Sequence, residues 1–267
     1  MVARQEASCT LNFAYSHRYG LIGEQLNHSF SPAYFADKFK KEGLENVSYE
    51  RLEFPTIEAL GAWISKKENA TEFKGLNVTI PYKKTIIPFL KQLTAEAKAI
   101  GAVNAIRPLK DQPGQWEGHN TDVHGFLKSL KPFLRSSHER ALVLGDGGAA
   151  AAVRFALEGL GIQVTTVTRK HTSHPFVLYD DISTEAMPFF KLIVHCTPLG
   201  TYPDVNASVN LPWDGIGPDH LLVDLVYNPE VTAFMKHGQR RGAETLNGKD
   251  MLFAQADAAW TWWNEVH

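Results

Sequence analysis

The stretch "ALVLGDGGAAAAVRFALEGLGIQVTTVTRK", from Ala141 to Lys170, leaves its chain few choices of fold. A short apolar run ends in Gly145, Asp146, Gly147 and Gly148, an alanine-rich segment of helical length follows, and a β-branched run closes the unit. Strand, glycine turn, helix and strand in that order imply a mostly parallel sheet covered by helices. Gly145 and Gly147 leave room for a tight turn and a close pyrophosphate, and Ala150 lets the helix approach the strand. The helix N-terminus adds N–H donors and a positive dipole end. A glycine triplet alone is weak, but in this setting it reads as a dinucleotide site rather than a structural turn. An NAD site places an acidic residue about 20 positions on, for the ribose 2′-hydroxyl. Here the second strand ends at Thr168, Arg169 and Lys170, a hydroxyl and two cations suited to a 2′-phosphate. The expected cofactor is NADP, the bland alternative being a solvated loop end.

Further strands are expected at "KLIVHCTPLG", "HLLVDLVYNP" and "AETLNG". Upstream, from Tyr19, short apolar runs alternate with amphipathic segments: "YGLIG", "SPAYFADKFKKEG", "VSYERLEF", "TIEALGAWISKK" and "GLNVTI" read as strand, helix, strand, helix, strand. In the first of these helices Ser31 is the candidate N-cap, Pro32 the first helical residue and Gly43 the stop. "TAEAKAIG" adds a helix, and "AVNAIRPL" returns through "DQPG" and "WEGHNTD", closing a first unit near Asp122. The helix "VHGFLKSLKPFL" and the polar linker "RSSHER" lead into the second unit. With 267 residues, two domains are expected, and residues 1–18 read as a loosely ordered extension. The apolar helix "MLFAQADAAWTWWNEV" is expected to pack back on the first unit.

With 27 basic and 29 acidic residues and no long run of either sign, the chain is not built for nucleic acid or an anionic membrane. Two cysteines, Cys9 and Cys196, support neither a disulfide framework nor a zinc cage, which fits a reducing, cytoplasmic setting. The histidine pairs His119/His124 and His171/His174 lack metal-ligand spacing with a third partner, so no metal is expected. No apolar run reaches the roughly 18 residues of a membrane span, and the opening residues lack a signal peptide's apolar core.

The segment "GLNVTIPYKK" sets polar residues into an apolar strand. Residues two apart share a face, so Asn77 and Thr79 project together while Val78 and Ile80 enter the opposite layer. Pro81 ends the ladder and Lys83 follows. Ser29 and Ser31 in "HSFSP", Asn104 in "GAVN", Asp122 in "NTD" and Gln255 in "AQADAAW" each place a polar group beside apolar or turn sequence, where it needs a reason.

These motifs, with "GDGGAA", "CTPLGTYP", "DLVYNP" and "MLFAQA" in the same order, resemble those of the shikimate dehydrogenase family, NADP-dependent enzymes of aromatic amino-acid (chorismate) biosynthesis, from about Tyr19 to near the C-terminus. The resemblance implies an α/β chain of two domains. Residues 19–122 plus 247–267 would bind substrate and 123–246 would form a Rossmann-type NADP domain, with the active site in the cleft between. It implies that Ser29 and Ser31, helped by the Tyr227 hydroxyl, hold the carboxylate of shikimate or 3-dehydroshikimate. Asn77, Thr79, Asn104 and Gln255 would bind ring hydroxyls, and Lys83 and Asp122 would form the catalytic pair against the substrate. On the cofactor, Gly145, Gly147, Gly148, Ala149 and Ala150 would contact the pyrophosphate and Thr168, Arg169 and Lys170 the adenosine phosphate. Thr197, Pro198, Gly200 and Leu225 would contact the nicotinamide end, with Gly248 completing the site. A monomer or homodimer is implied.

Reduction of a ketone by hydride develops charge on oxygen, which an ammonium stabilises and protonates. The bland roles are an N-cap for Ser31, a first-turn carboxylate for Asp122 and packing for Tyr227 and Gln255. The chain departs from the common family pattern at Asp146, at Thr168 and Lys170, at Val123 and at His195. A carboxylate at Asp146 should weaken cofactor binding unless it turns outward. The rival readings are a quinate/shikimate dehydrogenase with broader cofactor use, a catalytically silent ligand-sensing relative, and another two-domain dehydrogenase such as the methylenetetrahydrofolate type.

Overall fold

The computed structural model describes residues 17–169 and 176–265, so Lys170, the pair His171/His174, Cys9 and residues 1–16 lie outside the described residues. Two six-stranded sheets organise the described residues. The first is built by β1 (His17–Gly23), α1 (Ser31–Lys41), β2 (Val47–Glu53), α2 (Ile57–Ile64), α3 (Lys67–Glu72), β3 (Phe73–Val78), α4 (Tyr82–Thr85), β4 (Gln92–Leu93), α5 (Ala95–Ile100), β5 (Ala105–Pro108) and β6 (Trp116–His119). Its strand order is β2-β1-β3-β5-β6-β4, parallel through β2, β1 and β3, and antiparallel from β3 to β5 and from β5 to β6.

Helix α6 (Asp122–Leu130) leads into the second sheet: β7 (Arg140–Leu144), α7 (Gly148–Gly159), β8 (Gln163–Thr168), β9 (Val177–Leu178), β10 (Leu192–His195), β11 (Leu221–Asp224), α8 (Ala233–Gln239) and β12 (Glu244–Leu246), before the terminal α9 (Lys249–Asn264). Every pairing in this sheet is parallel, in the order β12-β11-β10-β7-β8-β9. Both faces are covered, so β7 reads as a continuous apolar run. Ala141 and Val143 pack with α6 and α7 in one core, while Leu142 and Leu144 pack with Phe234 and Met235 of α8 in another. The chain leaves β7 towards β8 on one side and returns through β10 on the other. A crevice therefore opens between the C-terminal ends of β7 and β10, where nucleotides bind in such sheets.

Helix α9 carries Ala256, Ala259, Trp262 and Trp263 into a core with Tyr19, Phe35, Phe39 and Ala105 of the first sheet and α1, while its Met251 joins the core of the second. The crossing with α6 is close because Gly125 has no side chain: a Cβ there would lie 2.7 Å from the Met251 carbonyl and 3.0 Å from the Gln255 nitrogen. These are backbone atoms that cannot swing aside, so Gly125→Ala is expected to cost about 1–3 kcal/mol of stability through overpacking, read by urea unfolding.

Three sequence expectations are corrected. The first strand starts at His17, inside the expected extension, because Arg18 pairs with Glu50 at 2.8 Å and lies over the Phe73 ring at 4.4 Å. A polar strand end held by neighbours leaves no apolar alternation to read. Ser31 is not an N-cap: it is the first residue of α1, Phe30 holds the cap position with helical φ and ψ, and no side chain caps the helix. Ile80 does not enter a core layer. Val78 is buried, but the strand ends there and Ile80 is 61% exposed. Thr79 sends its N–H to Ile22 O at 2.8 Å and receives that of Tyr82 at 2.9 Å, so the chain has begun to turn and the two-residue alternation no longer applies.

Candidate active site

The polar groups of the first unit converge where β3, α4, the turn before β5, and the N-terminus of α6 meet. Lys83, on α4, places Nζ 2.5 Å from Asp122 Oδ2, with side-chain exposures of 15% and 4%. Asp122 opens α6, where the unpaired N–H groups of the first turn favour a carboxylate. Its own N–H donates to Asn120 Oδ1 at 3.0 Å, and its Oδ1 accepts from Asn104 Nδ2 at 2.9 Å.

Asn104 is the hub. Its Oδ1 accepts from the Thr121 N–H at 2.6 Å, and its amide nitrogen lies 2.9 Å from Thr121 Oγ1 and 3.1 Å from Gln255 Oε1 as well as facing Asp122. Three acceptors compete for two hydrogens, so an entering hydroxyl can replace one of them. The Val103 N–H donates to Lys83 O at 2.7 Å and so fixes α4 against this turn.

Asn77 is buried at the end of β3, donating from Nδ2 to Asn104 O at 3.2 Å and accepting at Oδ1 from the Tyr49 hydroxyl at 2.7 Å. Burial pushes the Tyr49 hydroxyl well above its ordinary pKa, and a hydrogen bond from Ser31 opposes this in part. The phenol thus links Ser31 to Asn77. Ser31 also donates its N–H to Ser29 Oγ at 3.4 Å. Tyr49 is missing from the sequence reading; the only trace is an aromatic in "VSYERLEF", which strand propensity explains equally well.

Across the cleft, Gly145 adopts φ +114° and lies against Thr197, a Cβ on it coming within 3.0 Å of Thr197 Cγ2. Helix α7 has no side-chain cap, and a Cβ on Gly147 would meet nothing within 4 Å. Backbone donors facing open space suit an anionic pyrophosphate, so the residues present fit a dinucleotide. Ala150 is buried under the loop and Ala149 half-buried beside it. Asp146 is exposed, and its carbonyl accepts from Lys84 Nζ at 2.6 Å. Lys84, which the sequence did not single out, thereby ties α4 to the glycine loop. Gly148 is close to Lys83, where a Cβ would stand 2.6 Å from the lysine Cβ.

Thr168 is buried at the end of β8 and Arg169 emerges exposed beyond it. Thr197 and Leu225 are half-buried, Pro198 is exposed and Gly200 is buried. Gly248 donates to Val226 O at 3.2 Å and abuts Leu225. The Tyr227 ring meets Phe30 edge-on at 5.4 Å across the two units, and burial raises its hydroxyl pKa. Tyr227 thus stands near the turn carrying Ser29 and Ser31. Among the described residues no group of histidine, cysteine or carboxylate side chains could hold a metal, and no helix is long and apolar enough to cross a membrane.

Comparison with known proteins points the same way. Residues 21–106 match the family described as the shikimate dehydrogenase substrate binding domain. The NADP(+) shikimate dehydrogenase of Syntrophomonas wolfei is 39% identical over 253 residues, covering 88% of this chain and 85% of that protein. That of Carboxydothermus hydrogenoformans is 36% identical, covering 92% and 91%. Among solved structures, Thermus thermophilus shikimate 5-dehydrogenase in complex with NADP(H) and shikimate superposes with a TM-score of 0.80 at 32% identity, over 94% of each chain. Quinate dehydrogenase of Corynebacterium glutamicum in complex with NAD gives a TM-score of 0.79 at 26% identity, also over 94% of each. With the lysine–carboxylate pair facing a glycine loop across one cleft, and with relatives this similar along nearly the whole length, the chain belongs to the shikimate dehydrogenase family.

Proposed function

We propose that this protein reduces 3-dehydroshikimate reversibly to shikimate with NADPH, in aromatic amino-acid biosynthesis. The carrying observation is the Lys83–Asp122 ion pair at 2.5 Å, within a polar network of one unit and closed on by the glycine loop of the other. Residues 19–122 with 247–267 form the substrate domain and 123–246 the NADP domain. NADPH, when bound, supplies the hydride. Lys83 donates a proton to the carbonyl oxygen as charge gathers there, and in the reverse direction takes it from the alcohol. Asp122 orients the ammonium. Ser29, Ser31 and Tyr227 take the substrate carboxylate, and Asn77, Thr79, Asn104 and Gln255 the ring hydroxyls.

Gly145, Gly147, Gly148, Ala149 and Ala150 hold the pyrophosphate. Thr168, Arg169 and Lys170 favour the 2′-phosphate of NADP, and Thr197, Pro198, Gly200, Leu225 and Gly248 border the nicotinamide. Asp146 is exposed, which leaves its carboxylate free to turn into solvent. The protein works in the cytoplasm as a monomer or homodimer. The test follows reduced-cofactor absorbance with shikimate or quinate, each with NADP+ or NAD+. Turnover concentrated on shikimate with NADP+ is expected. Comparable rates with quinate or NAD+ would place the protein with the broader enzymes, and no turnover in any combination would sink the reading.

A further inference from the structure

A buried polar chain lies behind the β10 loop. His195, at the end of β10, Asp224, at the end of β11, and Thr232, the N-cap of α8, are all 0% exposed. His195 Nδ1 lies 2.9 Å from Asp224 Oδ1, which also accepts the Val226 N–H at 3.0 Å, while Asp224 Oδ2 accepts the Thr232 hydroxyl at 2.6 Å. The carboxylate is surrounded by donors and can only accept, so Nδ1 carries the imidazole proton. With the proton on Nδ1, the Nε2 lone pair faces the Thr197 hydroxyl. That hydroxyl must donate inward. Its oxygen keeps two lone pairs, one facing the Leu199 N–H at a long 3.4 Å and the other unspent. Thr197 borders the crevice beside Gly145.

We propose that His195 is a positioning residue: by anchoring on Asp224 and taking the Thr197 proton, it makes Thr197 Oγ1 an obligate acceptor for the N–H2 of the cofactor's nicotinamide carboxamide. The inference rests on the reading of the β10 loop as the nicotinamide end. It assigns the buried network a part in cofactor recognition and not only in holding β10 to β11. The amide N–H2 is the group it selects.

The test is calorimetric binding of NADP+ and of its 3-acetylpyridine analogue, whose methyl ketone lacks the N–H2, to wild type, His195→Asn and Thr197→Val. Asparagine can keep the bond to Asp224 but falls short of Thr197. Each variant is expected to lose roughly three- to ten-fold in affinity for NADP+, the worth of one hydrogen bond, and about two-fold at most for the analogue. The double variant should be no worse than Thr197→Val alone. Equal losses for both cofactors, or no loss for NADP+, would overturn the proposal. Should His195→Asn not fold, Thr197→Val, a near-isosteric change at a half-buried position, carries the same comparison. A wild type that binds no NADP+ would remove the nucleotide reading beneath it, whereas tight wild-type binding with unaltered variants overturns the roles of His195 and Thr197 and leaves that reading standing.

Discussion

Lys83→Ala is expected to lower turnover by roughly 10²–10⁴, the usual worth of general acid–base catalysis, with KM for shikimate changed only a few-fold. The variant should still fold. It leaves Asp122 without its cation, but the carboxylate keeps the Asn104 hydrogen bond and its place at the N-terminus of α6. A loss of about 1–3 kcal/mol is a fraction of the 5–15 kcal/mol of a typical domain. Steady-state kinetics beside urea unfolding separates the two effects. Turnover falling only in step with the folded fraction would make Lys83 a structural cation and end its catalytic assignment.

Asn104→Ala has the largest expected effect on stability. Asn104 is 2% exposed and accepts the Thr121 N–H while its two amide hydrogens are shared among Asp122, Gln255 and Thr121. Truncation strands a buried backbone donor and weakens the support of a buried carboxylate. Each unsatisfied group costs about 1–3 kcal/mol, so a total of about 2–4 kcal/mol is expected. The same change frees Asp122 and Gln255 to move, so KM for shikimate should rise in whatever fraction remains folded. Stability within about 0.5 kcal/mol of wild type, the range of ordinary surface changes, would show that water replaces the amide and that Asn104 is no hub.

Much of the architecture was legible because the relevant signals are local. "ALVLGDGGAAAAVRFALEGLG" names its own strand, turn and helix, and the parallel sheet follows from alternation of apolar runs with amphipathic helices. The candidate site was legible as separate motifs, since a polar residue in an apolar strand announces itself. Errors fell at element ends. Ser31 before Pro32 carries the composition of an N-cap, yet the helix starts one residue earlier and its hydroxyl is turned to Tyr49. Ile80 continues the strand's pattern by composition, but the chain has already turned.

By itself the sequence determined the order of the longer strands and of most helices, the glycine turn, the cations after β8, and the residue types available for proton transfer, because each depends on neighbours along the chain; α3, α8 and the two-residue strands β4 and β9 left no such local signal. The tertiary structure alone decided which of those residues meet. Lys83 and Asp122 are 39 positions apart and Asn104 and Gln255 151 apart, and the close crossing of α6 and α9 at Gly125 brings the last of these into the site. Tyr49, Lys84 and the inward-facing His195–Asp224–Thr232 chain acquire their roles from distant partners, through contacts that no spacing along the sequence encodes.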